Sequence, residues 1–168
     1  RFYRGTLQTM IRRLQPGPWT LTIAVAAQDD GTHPAFAGLP VFVQPRGDLG
    51  ARMSGVLRHM PPGPAIIIGT DIPGIQPCHI HQAFHKLGTN DAIFGPADDG
   101  GYWLVGLARR RPVPYAFMRN VPWSTPDALT ATLATLPVDM RVGFLDPLSD
   151  VDDGASYAAY LKEGGRAR

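Results

Sequence analysis

The chain has 168 residues, 44% of them hydrophobic and 18% charged, with a net charge of +2. That is enough apolar material for one buried core, and the length favours a single domain. A charge so small gives no argument for a nucleic-acid polymer as partner, no apolar run is long enough to span a membrane, and none reads as a signal peptide. The single cysteine, Cys78, excludes an intramolecular disulfide and suits a reducing compartment, so the expected location is cytoplasmic. Seventeen prolines and nineteen glycines fall between periodic segments, as punctuation of a loop-rich α/β protein.

Tyr3, Leu7, Met10, Ile11 and Leu14 follow the stripe of an amphipathic helix, and residues 19–27 then read as a strand. An α/β chain that opens on a helix is expected to lack the strand before it, so the sequence reads as a fragment. Val41-Phe42-Val43 is a short strand. Gly47-Asp48-Leu49-Gly50 opens a helix carrying Leu49, Met53, Val56, Leu57 and Met60 at helical spacing, with Asp48 as its cap. Ala65-Ile66-Ile67-Ile68 is apolar throughout, the composition of a strand covered on both faces. A helix near 76–87 places Ile80, Ala83, Phe84 and Leu87 on one face. Ala92-Ile93-Phe94 and the run 102–107 can pair as an antiparallel hairpin across Asp99-Gly100. Arg109-Arg110-Arg111, beside Pro112, reads as a solvated turn. Ser124-Thr125-Pro126-Asp127 supplies a cap, a proline at the first helical position and an acid in the first turn, leading to Leu129, Leu133 and Leu136. Residues 140–145 give a last strand, 150–153 a polar corner and 155–162 a terminal helix. The order is that of an α/β domain with one antiparallel excursion.

Two strands thus end in carboxylates, Asp71 after the first and Asp98 and Asp99 after the second. In such sheets ligands bind outside the carboxyl ends of the strands, and divalent cations that bridge phosphates need oxygen ligands there. Asp98-Asp99-Gly100-Gly101 is also a favoured tight turn; its glycines could expose N–H groups to a phosphate or acceptor while one carboxylate serves as base or ligand. Asp150 and Asp152 alternate along an extended segment and can face the same way, although Asp152 or Asp153 could instead cap the last helix. Trp123-Ser124-Thr125 offers a helix N-terminus suited to an anionic or sugar group, with Trp123 as ordinary core the alternative. His81 and His85 share the spacing of a zincin pair, but Gln82 stands where the glutamate base belongs, and no paired cysteines add ligands.

The segments 44–53, 68–73, 95–107, 123–125 and 150–152 occur in the order found in the bacterial glycosyltransferase family described as radical-SAM/selenodomain-associated transferases, and the chain resembles that family over nearly its whole length. The resemblance implies a GT-A nucleotide-diphospho-sugar transferase-like domain: a three-layer α/β/α sandwich whose mixed sheet is mostly parallel with an antiparallel excursion. It implies an enzyme that uses a nucleotide-sugar donor, a small-molecule acceptor and a divalent cation, Mg²⁺ or Mn²⁺, held by Asp71 and Asp152. Donor contacts would come from Gly47, Asp48, Gly50, Thr70, Gly100, Gly101, Trp123 and Ser124, and Asp99, or else Asp98, would orient or deprotonate the acceptor. Members of that family begin with a further strand and a phosphate-binding loop, so the expected unit is a single domain over 1–168 lacking both. Nucleotidyl transfer of the guanylyltransferase type and a non-catalytic binding role are the alternative functions.

Overall fold

The computed structural model describes residues 2–70 and 72–148, with backbone only for 2–6 and Asp29. Its elements are α1 (Phe2–Leu14), β1 (Ile23–Val25), β2 (Val41–Val43), α2 (Leu49–His59), β3 (Ala65–Ile68), α3 (Pro77–Leu87), β4 (Ala92–Pro96), β5 (Tyr102–Leu107), α4 (Ala128–Ala134) and β6 (Val142–Phe144). β1 and β2 form a parallel pair; the remaining strands form a sheet in the order β3-β5-β4-β6. β5 is antiparallel to both β3 and β4, and β6 is parallel to β4. This is the expected mixed α/β arrangement with its antiparallel excursion. Among the described residues no helix is long and apolar enough to cross a membrane.

The layers follow from strand alternation, which sends successive side chains to opposite faces. Ile66, Ile68, Ile93 and Leu104 pack with Met10 and Leu14 of α1 and with Ile80, Ala83 and Leu87 of α3. Ala65, Ile67, Ala92, Phe94, Val105 and Leu107 pack instead with Met53 and Leu57 of α2 and with Leu129 and Leu133 on α4. The sheet is therefore covered on both faces, as the apolar run at 65–68 requires. Ile93 and Phe94 are wholly buried, each worth about 1.5–3 kcal/mol relative to exposure.

Three boundaries differ from the sequence expectation. The strand expected over 19–27 shrinks to Ile23–Val25, because the Trp19 indole N–H turns back to the Leu14 carbonyl at 2.8 Å and closes the end of α1. The last strand shrinks from 140–145 to Val142–Phe144, since Met140 still belongs to a turn closed on Pro137 O. The helix expected from Ser124 begins only at Ala128. Ser124 adopts φ +60, outside the helical region, and the Thr125 hydroxyl donates to Pro122 O at 2.7 Å while accepting from Asp127 N–H at 3.4 Å, so the segment closes as a turn before the helix starts. The terminal helix expected over 155–162 lies outside the described residues.

The arginine triplet is not a free solvated turn. Arg109 takes φ +54 and donates to Met60 O at 2.6 Å and Pro61 O at 2.7 Å, just past the end of α2. Arg110 donates to Leu87 O and Gly88 O at 2.5 and 2.7 Å, at the end of α3. Arg111 pairs with Asp139 at 2.7 Å, a fully exposed contact that lowers the Asp139 pKa through the hydrogen bond from the guanidinium. The last carbonyls of a helix lack intrahelical donors and carry partial negative charge, so guanidinium groups settle there. Arg110→Met should lower stability by about 1–2 kcal/mol, the net worth of charged-donor hydrogen bonds at a half-exposed position. Urea unfolding of both chains measures it, and an unchanged midpoint would remove Arg110 from the account of α3.

Candidate functional site

Strand register sets the geometry of the site. Ile68 of β3 and Gly95 of β4 both align with Leu104 of β5, so the carboxyl ends of β3 and β4 finish at the same edge of the sheet. Past its own end, β3 is extended by Gly69, whose N–H donates to Trp103 O at 2.9 Å. After β6 the chain continues along β4: Leu145 N–H donates to Phe94 O, Leu148 N–H to Pro96 O, and Leu148 bridges Ala97 in parallel. Three segments that precede acidic residues thus arrive at one rim. Thr70 and Asp99 line the same cleft there. Asp71, Asp150 and Asp152 lie outside the described residues.

The β4–β5 turn is closed from within. Gly100 sits at φ +86, a conformation L side chains rarely take, and a Cβ there would lie 2.2 Å from Pro126 O. Its N–H donates to Ala97 O at 3.2 Å, its carbonyl accepts from Leu129 N–H, and Gly101 N–H donates to Asp99 Oδ1 at 2.8 Å. The expectation that both glycines present free N–H groups is corrected: the turn itself uses them. Asp98 and Asp99 are exposed. Asp99 therefore holds the turn with one oxygen while its carboxylate faces solvent at the rim.

Gly47, Asp48 and Gly50 sit at the start of α2. Asp48 Oδ1 accepts from Ala51 N–H at 2.8 Å, which makes it the N-cap, and Gly47 takes φ +137. Gly50 is buried where the helix meets the loop after β5: a Cβ on it would lie 2.0 Å from Met118 O and 2.8 Å from the Trp123 ring. That loop carries the backbone strain of the molecule. Met118, Asn120 and Ser124 adopt φ +65, +55 and +60 without being glycine, which the Met118 N–H bond to Thr135 Oγ1 (3.0 Å) helps to hold. Trp123 Nε1 is buried without a hydrogen-bond partner among the described residues, and its ring stands edge-on to Tyr102, 6.5 Å between centroids. Trp123, Ser124 and Thr125 line the cleft with Asp99, though not as the N-terminus of α4, which starts later. No glycine marks these positive-φ positions, so the sequence reading missed them.

Two further groups were not singled out by the sequence. The Tyr102 hydroxyl lies 3.4 Å from Thr132 Oγ1, and since Thr132 donates its own proton to Ala128 O, Tyr102 is the donor. Burial pushes the Tyr102 pKa up to about 12, keeping the phenol neutral. His79 packs on Trp103 at 5.8 Å, and its Nδ1 accepts from Gln76 N–H at 3.2 Å. Trp103 lies across Gly95, where a Cβ would come within 2.3 Å of the indole, and donates to Asp146 O at 3.3 Å. His81 and His85 are exposed, His81 against Trp19. Among the described residues no three His, Cys, Asp or Glu side chains gather to hold a metal.

Partial burial lowers the His79 pKa below its ordinary 6.5, with the charge of Asp146 acting in the other direction. Protonation would also remove the acceptor at Nδ1. Because the unfolded chain binds this proton more readily, the stability tied to neutral His79 is complete above about pH 6.5 and is lost as pH falls through the lower folded value. His79→Asn, which keeps an acceptor for Gln76, should flatten the decline of the unfolding midpoint between pH 7.5 and 5. Superimposable pH profiles for the two chains would refute this role.

The fold has solved counterparts. The chain is similar to a "putative nucleotide-diphospho-sugar transferase" from Desulfovibrio desulfuricans G20, with a TM-score of 0.86 at 23% identity over 98% of this chain and 75% of that one. It is also similar to Rv0371c from Mycobacterium tuberculosis H37Rv, with a TM-score of 0.61 at 15% identity over 95% and 83% of the two chains. A homologue of Rv0371c from Mycobacterium sp. strain JC1 gives 0.59 at 15% identity over 96% and 83%. At these identities the likeness shows a shared fold, the nucleotide-diphospho-sugar transferase-like one. Comparison with curated proteins gives no match. A sequence profile matches residues 9–125, more than half of the chain, and on that match the chain belongs to the family described as "Uncharacterized protein conserved in bacteria (DUF2064)".

Proposed function

We propose that the rim binds a nucleotide-diphospho-sugar donor and transfers its sugar to a small-molecule acceptor. The observation that supports this reading best is the shared edge: Thr70 and Asp99 line one cleft, and the chain after β6 runs beside β4 to the same end. Ligands of doubly covered sheets sit at this edge. The name of the Desulfovibrio desulfuricans structure agrees with the reading.

In this reading Asp71 and Asp152 hold a Mg²⁺ or Mn²⁺ ion. Their donor set is carboxylate oxygen alone, as a hard cation prefers, and Thr70, which directly precedes Asp71, lines the cleft at the rim. Such a cation, when bound, offsets negative charge on the diphosphate. Asp99 accepts from or orients the acceptor hydroxyl, with Asp98 next to it in the turn. Its bond from Gly101 N–H fixes its position before any ligand arrives. Trp123 and Ser124 contribute a wall of the donor site. Gly47, Asp48 and Gly50 shape that wall from behind, through the first turn of α2, and Gly100 and Gly101 act by holding Asp99. The neutral phenol of Tyr102 is too weak an acid to exchange protons here near pH 7.

Thermal unfolding with UDP- and GDP-sugars and with nucleoside triphosphates, each with and without Mn²⁺, tests the reading. A donor sugar at a hundred times its Kd should stabilise the chain by about 2.7 kcal/mol. The shift should require Mn²⁺ and vanish in Asp71→Asn. Asp99→Asn preserves an acceptor for Gly101 N–H, so it should keep the shift while turnover falls by about 10²–10⁴. Stabilisation by triphosphates alone would instead indicate nucleotidyl transfer, and no shift with any donor would overturn the enzyme reading.

A further inference from the structure

The connection from β3 to α3 is held by a side chain from a distant part of the sequence. It starts at Thr70, which lines the cleft, and carries Asp71. Ile72 and Ile75 are buried in one cluster with Met10 and Leu14 of α1, and Ile75 N–H donates to Ile72 O at 3.3 Å, closing a turn. Backbone carbonyls in such a turn need donors once water is displaced. Arg13, half-buried on α1, supplies them: its Nη1 donates to Pro73 O at 2.7 Å and to Ile75 O at 2.8 Å.

Cationic side chains in the last turn of a helix commonly settle on that helix's own final carbonyls. At the end of α1 the Leu14 carbonyl is already served, by Gly17 N–H at 3.2 Å and by the Trp19 indole N–H at 2.8 Å. Arg13 crosses instead to another segment. One nitrogen makes both bonds, each of its two hydrogens reaching one carbonyl, so Pro73 and Ile75 are drawn to a common point on α1. Charged donors make these bonds stronger than neutral ones would be. On the other side of Thr70, Gly69 N–H donates to Trp103 O at 2.9 Å and ties the chain to β5. In the sequence Asp71 therefore stands between two anchored points, one on the sheet and one on α1.

We propose that Arg13 is a positioning residue for the rim: by holding Pro73 and Ile75 it seats the loop that carries Asp71 and thereby sets the affinity for a divalent cation. The inference rests on the reading of Asp71 as a cation ligand. Groups that orient a ligand without touching the metal typically govern affinity by about 10–100-fold. Pro73 follows Asp71 by two residues, which leaves little slack between the anchor and the carboxylate.

Two measurements test this, the first without any metal. Arg13→Met keeps the aliphatic stem and loses both donors, so amides of residues 72–76 should exchange with deuterium about 10-fold faster, with β4 and β5 unchanged. In titrations with Mn²⁺ alone, followed by electron paramagnetic resonance, the same variant should bind about 10–100-fold more weakly than the parent chain. Arg13→Lys should recover most of that loss, because a single ammonium nitrogen can serve two carbonyls as Nη1 does. Trp19→Phe removes a bond at the same end of α1 but none to the loop, and should leave Mn²⁺ affinity where it was. Unchanged exchange or unchanged Mn²⁺ affinity in Arg13→Met, or an equal loss of affinity in Trp19→Phe, would overturn the proposal while leaving Asp71 as a ligand. A parent chain that binds no Mn²⁺ would bring down the reading of Asp71 itself, and this proposal with it.

Discussion

The rim depends on β5 running against two strands that run with each other. Because β5 pairs with β3 through Ile68↔Leu104 and with β4 through Gly95↔Leu104, it fixes the relative heights of their carboxyl ends. A slip of one residue would send Trp103 to the opposite face and exchange the two cores, since strand side chains alternate. Trp103 opposes such a slip. Its ring lies on Gly95, touches His79 and donates to Asp146 O, so one side chain joins β4, α3 and the segment after β6.

From that register the site divides into a firm part and a tense part. The β4–β5 turn is firm: its N–H groups are satisfied internally, and Gly100 leaves room for Pro126 to close over it. The loop holding Met118, Asn120 and Ser124 is tense, with three side-chain-bearing residues in the left-handed region. Strain of this kind persists only where surrounding contacts over-determine it. Here those contacts are the burial of Phe117 and Met118 and the approach of Gly50.

How much was legible in the sequence depended on whether the signal was local. The helices α1, α2 and α3 follow their apolar spacing, Asp48 caps α2 as its position suggests, and the hairpin forms across Asp99-Gly100. Both faces of 65–68 are covered, as an unbroken aliphatic run implies. What escaped was set by partners distant in sequence. Nothing in Arg109-Arg110-Arg111 says that two helix ends await it. Ser124-Thr125-Pro126-Asp127 is a sound helix start by composition, overridden because the loop must first bring Trp123 against Gly50. At the site, Asp99, Trp123 and Ser124 share a cleft, while Asp71 and Asp152 lie outside the described residues.

The tense loop has an evolutionary consequence. Glycine at Asn120 or Ser124 would relieve the left-handed conformation, yet it would also enlarge the freedom of the unfolded chain, so the two effects partly cancel. Retaining a bulky side chain at Met118 ties the loop's shape to the packing beneath it. Small changes in the core beneath Met118 could thereby shift the loop around Trp123 with no change in any residue that meets solvent.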